Sequence, residues 1–484
     1  MSINIAMNAA VSGLTAAARG VQVASGNVAN AMTEGYAPRK LQLGTAVLGG
    51  MGAGVRVLGV ERQIDPVLTG LMRQAGADRA GAETEARFWS GFEQAIGEPD
   101  DPFALAGRVA AFETALVAAA NRPDMDQRLA AVVSAADAIT QEFSALERHV
   151  QQARLEADRA IARDVSELND GLSRLARLNG EIVSLRASSE PPLALLDERQ
   201  NLITRLSEIV PLREYQTPEG RSMIYTEGGQ LLLDVTPSVV GFEPTNLVTA
   251  GLTREGGQLS GLTLNGRAIP NPGDGGPFGG GRLAASFEVR DRHGVAAQTA
   301  LDQMAAELIQ RFETPGIDQS NWSGPGLFTD NQLALGSPPE PGLAERMEVN
   351  KRVKPADNGF LWRLREGLEP EESDPRGPVG DATQLNLWVQ AMQAPLAATG
   401  GTAAASFADN VGRSLSVISQ ERQGFEDRQA HTAARATELY ERGLAQGVDT
   451  DAEMQRLVLI EQAYAANARL IQVADQMLRR LMEI

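Results

Sequence analysis

The sequence predicts a mainly α fold: terminal helices paired as a coiled coil, a long helical bundle body, and a small outer β-rich region inserted into it. Three observations predict it. Near the N-terminus Met7, Val11, Leu14, Ala18, Val21, Ser25, Val28 and Met32 alternate steps of four and three residues, the spacing of a coiled-coil seam. At the C-terminus Leu457, Ile460, Tyr464, Asn467, Ile471, Ala474, Leu478 and Leu481 keep the same alternation. Between them run long stretches rich in Ala, Leu, Glu, Arg and Gln, broken by one region of Gly- and Pro-punctuated strands.

Each seam has one strongly polar member, Ser25 and Asn467, and each helix needs a face to bury. Two such helices on one chain most simply bury each other, with the middle as a long insertion. The N-terminal helix also carries its own stop. Asn27 and Asn30 can hydrogen-bond nearby backbone, Gly35 can supply a positive φ, and Tyr36 before Pro38 can anchor the departing chain.

Bulk composition narrows the function. At 484 residues two to four domains are expected. The balance of 44 basic against 62 acidic residues, a net charge of −18, argues against nucleic-acid and anionic-membrane surfaces. The absence of cysteine excludes disulfides, thiolate catalysis and Cys-ligated zinc. No basic cluster precedes an apolar run, so a cleavable secretory signal is not expected, and no run reaches the roughly 18 apolar residues of a membrane span.

In chain order, Lys40 to Val60 reads as extended chain with a hairpin turn near Gly49, Gly50, Gly52 and Gly54. Val55-Arg56-Val57-Leu58 reads as a strand, whereas dinucleotide-binding glycines must open a helix. Pro66 to Ser207 is helical, with breaks at Gly97 to Pro102, at Pro123 and at Ser188 to Pro192. Within it Asp197 and Arg199 read as structural ion pairs or a solvated face in preference to an acid and its orienter. Strands are expected at Ser222 to Tyr225, Gln230 to Val235 and Leu283 to Val289. The loop Asn271 to Gly281 lacks the lysine of a phosphate loop and the carboxylates of a calcium loop, and reads as a mobile surface loop. Val295 to Phe312 is helical with Leu301, Met304, Ala305 and Leu308 on one face.

Glu313 to Gly401 is Pro- and Gly-rich, with a helix at Asp381 to Ala394, and its Asn321-Trp322-Ser323 sequon is assigned to chance. Thr402 to Leu444 is a polar helix turning Val411, Leu415, Ile418 and Phe425 inward. A capping box, Thr450-x-x-Glu453, then opens the last helix, with Asp449 and Asp451 at its positive end. The expected domains are 1–62 with 446–484 as a terminal helix pair, 63–210 with 291–313 and 402–445 as a helical body, 211–290 as a β-rich module, and 314–401 as an irregular outer region.

Nothing in the pattern is catalytic. His149, His293 and His431 stand in unrelated contexts, and no nucleophile elbow, P-loop or zinc-protease helix is present, so no catalytic, cofactor or metal residue is assigned.

The stretch Asn27-Val28-Ala29-Asn30-Ala31-Met32-Thr33-Glu34-Gly35-Tyr36 resembles the Asn-x-Ala-Asn-x-x-Thr-x-Gly-Tyr signature of the bacterial flagellar axial proteins, with Asn27, Ala29, Asn30, Thr33, Gly35 and Tyr36 as its fixed members. Independently, Glu461-Gln462-Ala463-Tyr464-Ala465-Ala466-Asn467-Ala468 resembles that family's closing helix, with Gln and Ala adjacent where the family spaces them by one. Leu168 to Ile182, Leu193 to Arg199 and Gly294 to Leu308 resemble its hook–filament junction branch. The resemblance implies a structural protein that polymerises through its end helices, needs no cofactor, leaves by the flagellum's type III export and ends in the extracellular flagellum. Implied partners are the hook protein, the second hook–filament junction protein, copies of itself and an export chaperone at the C-terminal helix. A hook or rod protein of the same family is the alternative, then an acidic secreted binding module; a cell-wall hydrolase would need a compact extra domain that Pro211 to Gly401 does not show.

Overall fold

The computed structural model describes residues 3–48, 51–188, 192–254, 256–320, 322, 324–369, 377–396 and 404–482. In chain order it contains α1 (Ile3–Ala29), the antiparallel strands β1 (Arg39–Leu48) and β2 (Met51–Arg62), and helices α2 (Pro66–Ile96), α3 (Leu105–Asn121), α4 (Asp126–Ala187) and α5 (Leu193–Ile209). Next come strands β3 (Leu212–Gln216), β4 (Ser222–Thr226), β5 (Leu231–Leu233), β6 (Val240–Gly241), β7 (Thr263–Leu264) and β8 (Arg267–Ala268). Then follow α6 (Gly281–Glu288), α7 (Gly294–Glu313), β9 (Phe328–Asp330), α8 (Leu343–Arg346), β10 (Met347–Val349), α9 (Arg363–Glu366), α10 (Thr383–Gln393), α11 (Phe407–Ala445) and α12 (Thr450–Met482). The fold is mainly α with small inserted sheets and paired terminal helices, as the two periodicities predict. The hairpin-turn glycines Gly49 and Gly50, and Asn321 and Ser323 of the sequon, lie outside the described residues.

The chain forms two compact units: residues 1–78, 167–238 and 432–484, and residues 79–166 and 239–431; α2, α4 and α11 contribute residues to both. The first unit holds α1, the β1–β2 hairpin, α5, the three-stranded sheet β3-β4-β5 and α12. Its sheet is fastened to the neighbouring helices by buried polar groups. Arg199 on α5 donates to Asn179 Oδ1 (3.2 Å) and to the Gly220 carbonyl (2.8 Å), while Asn179 donates to the Ser222 carbonyl (2.8 Å). Burial lifts the carboxylate of Glu214, but Arg73, at 3.1 Å, and Ser222 bring it below the ordinary value.

The second unit has one large core, with Phe92, Phe112, Leu129, Phe143, Leu301, Phe328 and Trp388 essentially inaccessible. Leu301, Met304, Ala305 and Leu308 of α7 enter it as their spacing predicts, and so do Val411, Leu415 and Ile418 of α11. Buried guanidiniums tie loops to this core. Arg290 meets Asp158 at 2.7 Å, and Arg311 pairs with Glu307 while donating to the carbonyls of Ala391, Ala394 and Ala405.

Three local expectations differ. Leu283 to Val289, read as a strand, lies in α6 and the helical turn after it, because Leu283 and Phe287 share one buried face and Ala284 and Ala285 are buried beside them. A helix buried on most sides yields a short continuous apolar run that periodicity cannot separate from a buried strand. The Asn271 to Gly281 loop is fixed at two points, Asn271 and Phe278, both buried, with Asn271 Oδ1 accepting the Leu262 N–H at 3.0 Å. The cap of α12 is Asp449, whose Oδ1 accepts the N–H of Asp451 and Ala452 at 3.0 Å each, and Glu453 is spent elsewhere.

Phe112 packs edge-on to Phe328 with centroids 5.5 Å apart and lies 6.2 Å from Phe312. Phe112→Ala should cost the second unit about 3–5 kcal/mol. Urea unfolding of the variant measures this, and a loss under about 1 kcal/mol would contradict so central a place in the core.

Candidate functional site

The site is where the chain ends meet, within the first unit. Helices α1 and α12 lie antiparallel: a β-carbon at Gly13 would sit 2.7 Å from Asn467 Nδ2, one at Gly20 would sit 2.9 Å from Ile460 Cδ1, and Asn27 donates to Glu453 Oε1 at 2.9 Å. Seven residues up α1 correspond each time to seven down α12. The face of α1 that makes this contact is small: Ala10, Ala17, Gly20 and Ala24 are buried and, with the partly buried Gly13, are spaced by three and four, ending on Asn27. Glycine at positions 13 and 20 costs helix propensity, about 1 kcal/mol each, but lets the two backbones approach more closely than any other residue would.

The predicted N-terminal seam lies on a different face. Val11 (49% exposed), Ala18, Val21, Ser25 and Met32 (98% exposed) face outward, while Met7, Leu14 and Val28 are partly buried. The expectation that this seam buries α1 against α12 is therefore corrected. Apolar bulk marked one heptad stripe, whereas a close helix contact selects the parallel stripe of Gly and Ala, which carries little hydropathy signal. On α12 Ala474 is buried, and Leu457, Ile460, Asn467, Ile471 and Leu478 are partly buried. Tyr464 is exposed, and the side chain of Leu481 lies outside the described ones.

The polar end of the contact is Asn27, fully buried with all its hydrogen-bonding capacity used. Its Nδ2 donates to the Arg39 carbonyl and to Glu453 Oε1, both at 2.9 Å. Its Oδ1 accepts from the Tyr36 hydroxyl at 2.9 Å and the Arg39 N–H at 3.0 Å. One side chain thus closes the helix end, the loop, the first strand and the partner helix. Burial raises the pKa of the Tyr36 hydroxyl against the lowering effect of Arg39, which lies 4.9 Å over the ring, so the phenol stays a donor.

The rest of the signature shapes the exit. Asn30 Nδ2 donates back to the Gly26 carbonyl at 2.9 Å, ending α1, and Thr33 donates to Asn30 Oδ1 at 3.4 Å. Gly35 adopts φ +72° in contact with α5, where a β-carbon would overlap Asn201 Oδ1 at 1.7 Å. Asn201 Nδ2 in turn donates to the Glu34 carbonyl at 3.2 Å. Ala29, Thr33 and Gly35 are exposed, and Tyr36 is partly buried.

Asp197 of α5 completes the arrangement. It accepts from Arg62 Nε at 2.8 Å and the Ala37 N–H at 3.4 Å, with Arg39 at 3.5 Å, so one carboxylate fastens the chain leaving the signature and the end of β2. Asp197 and Arg199 face different partners and form no pair with each other. What sequence reasoning missed is Glu453, whose spacing from Thr450 fits a cap equally well, and Asn201, which no motif marked. Between the α1 floor, the hairpin residues Leu41, Leu43 and Val55, and Ile460 of α12 lies an open apolar groove of about 310 Å³. Among the described residues no cluster of three or more His, Asp or Glu side chains could hold a metal.

Two end helices closed on one signature asparagine accord with the resemblance of both chain ends to the flagellar axial proteins. Residues 445–484 match the C-terminal domain of the flagellar basal body rod FlgEFG proteins. Residues 90–328, just under half of the chain, match the helical domain of the flagellar hook-associated protein FlgK. Flagellar hook-associated protein 1 of Salmonella typhimurium is 26% identical over 211 residues, 42% of this chain and 38% of that protein. The Bacillus subtilis protein of the same name is 25% identical over 228 residues, 44% of this chain and 45% of that protein. The matched stretch thus spans less than half the length of these relatives. The structure of the flagellar hook junction protein FlgK from Burkholderia pseudomallei aligns over 54% of this chain and 46% of that one, with 22% identity and a TM-score of 0.43.

Asn27→Ala should leave the Tyr36 hydroxyl, both Arg39 backbone groups and Glu453 short of partners, costing the first unit about 2–4 kcal/mol. Thermal unfolding followed by far-ultraviolet circular dichroism would register the loss. A wild-type transition would show that the asparagine is not what closes the helix pair.

Proposed function

We propose that this chain is a structural junction protein of the bacterial flagellum, joining hook to filament by polymerising through its paired terminal helices. The observation that carries the reading is the division of labour on α1. Its small face is consumed by α12, while Val11, Val21 and Met32 remain exposed at heptad spacing. α12 matches it with a second outward stripe, Leu459, Leu470, Val473 and Met477, between 46% and 65% exposed. Each helix therefore has one seam for its partner and one for a neighbour. Two different free seams make a head-to-tail contact, which closes into a ring or runs on as a helix.

In this reading the assembly surfaces are the predicted N-terminal seam, Met7 to Met32, and the outward side of the C-terminal helix. Segments 1–62 and 446–484 form the inner-tube domain. The partners are the hook protein, the second junction protein, further copies of the chain, and an export chaperone on the C-terminal helix, whose exposed apolar side would need cover before assembly. The place of action is the extracellular flagellum. Among the described residues no helix is long and apolar enough to cross a membrane. The role is mechanical, not catalytic: the carboxylate–arginine sets at Asp197, Glu214 and Asp158 are all bound up in structure. The match to the FlgK helical domain over 90–328 favours a junction protein over a hook or rod protein.

Val21→Asp tests this directly. Val21 is 40% exposed, so the isolated chain should change in stability by no more than about 0.5 kcal/mol. Buried in an assembly, the carboxylate would cost several kcal/mol per copy, about 3 or more. Cells expressing the variant should export it, show hooks without filaments by electron microscopy, and release filament protein to the medium. Normal filament number would contradict the reading.

A further inference from the structure

The apolar groove beside the α1–α12 contact has a floor of small α1 side chains, walls of Leu43 and Val55 from the hairpin and of Ile460 and Ala463 from α12, and Arg456 at one end. An apolar channel of this kind on a surface marks a place where another apolar surface is received. Arg456 keeps one ion pair among the described residues, to Glu453 at 3.4 Å, and its half-exposed guanidinium has donors to spare for a second carboxylate. The segment that supplies the floor and the hairpin, residues 1–62, is also the basic part of an acidic chain: it carries five basic residues, Arg19, Arg39, Lys40, Arg56 and Arg62, against two acidic ones, Glu34 and Glu61.

The chain carries the complement on the other flank of α12. Met454 and Val458 stand two positions before Arg456 and Ile460, which puts them about 200° around the helix from the groove wall. They are 53% and 50% exposed. Asp451 and Glu461 extend their line at either end, so that Asp451, Met454, Val458 and Glu461, spaced by three, four and three, make an apolar pair between two exposed carboxylates. Neither carboxylate has an ion-pair partner among the described residues. The lengths agree as well: the groove follows α12 from Arg456 to Asn467, about 16 Å, and the stripe from Asp451 to Glu461 is about 15 Å long.

Resting on the reading that copies assemble through their terminal helices, we propose that this groove receives α12 of a neighbouring copy, which lays Met454 and Val458 into it and sets Asp451 against Arg456. Copies repeated along one axis run parallel. Sliding the neighbour's helix by five residues, about 8 Å, brings Asp451 to Arg456, Met454 beside Ile460, Val458 beside Ala463, and Glu461 to the far end of the groove at Asn467. Groove and stripe lie on opposite flanks of α12, so a copy that has filled one neighbour's groove still offers its own, and the contact repeats head to tail. Stripe against stripe would oppose carboxylates, whereas stripe in groove pairs an acidic surface with a basic one, which fixes both partner and register.

The test uses cells that make two single-cysteine forms of the full chain together, Leu43→Cys and Val458→Cys, on a sequence with no cysteine of its own. Both positions are about half exposed, so neither change should disturb the fold. Flagella sheared from these cells and oxidised should contain a covalent dimer joining position 43 of one copy to position 458 of another, in a yield about tenfold above that from Leu43→Cys with Leu459→Cys. Leu459 is the next residue around the helix and is more exposed, at 65%, so random collision would favour it. Equal yields, or more from the Leu459 pair, in flagella that hold both forms would overturn the groove contact and leave assembly through the end helices standing. Absence of both forms from the flagella would overturn assembly and groove together. A charge exchange gives a second measurement, free of oxidation: Arg456→Glu and Asp451→Arg should each lose attached filaments when expressed alone and regain them when expressed together, because every groove then meets a stripe of opposite sign. Filaments unaffected by either single change, or no recovery in the mixture, would overturn the pairing of Arg456 with Asp451 and the proposal with it.

Discussion

The first unit depends on one close contact, α1 against α12, which only very small side chains permit. Two helices at opposite ends of a long chain must find each other after several hundred residues of insertion, so the loop-closure cost falls on that contact. Gly13 and Gly20 let the backbones close, and Asn27 fixes the register by using all its donors and acceptors across three elements. A one-turn slip of α12 would part the buried Asn27 amide from Glu453. Buried polar satisfaction supplies specificity here, while apolar area supplies much of the adhesion.

From Asn27 the same logic extends outward through α5. Asp197 and Asn201 receive the chain just after the signature, and Arg199, two residues from each, grips the β3–β4 turn. Three neighbouring positions on one helix thus connect the paired ends to the small sheet of the first unit. This explains why the Leu196-Asp197-Glu198-Arg199 stretch reads as distinctive without being catalytic. Its charged residues are spent on fastening elements far apart in sequence, and at least Arg199 is too deeply buried to be a solvated face.

Much of this was legible in the sequence, for identifiable reasons. Long helices with breaks at Gly97 and Pro123 announce themselves by composition, and α7 and α11 showed their core faces by spacing alone. The signature marked Asn27, Asn30, Gly35 and Tyr36, which stand at the end of α1 and just after it, because a helix stop is a local event. The small face of α1 was hidden because Ala and Gly contribute almost nothing to a hydrophobic pattern, and the larger stripe beside it drew the reading. Glu453 was hidden by an equally good local explanation, and α6 by burial on nearly every side. In each case a long-range contact outweighed the local preference that sequence displays.

Because the chain contains no cysteine, the register of the helix pair can be measured without background. The most direct measurement is disulfide formation in the purified monomer carrying Gly20→Cys with Ile460→Cys, compared with Val21→Cys with Ile460→Cys. The account predicts rapid oxidation of the first pair, since a β-carbon at position 20 lies 3.6 Å from Ile460 Cγ1, and little or none of the second, which starts from the exposed face. Equal cross-linking of both pairs, or preference for the Val21 pair, would show that α1 meets α12 through its larger seam and would contradict the account.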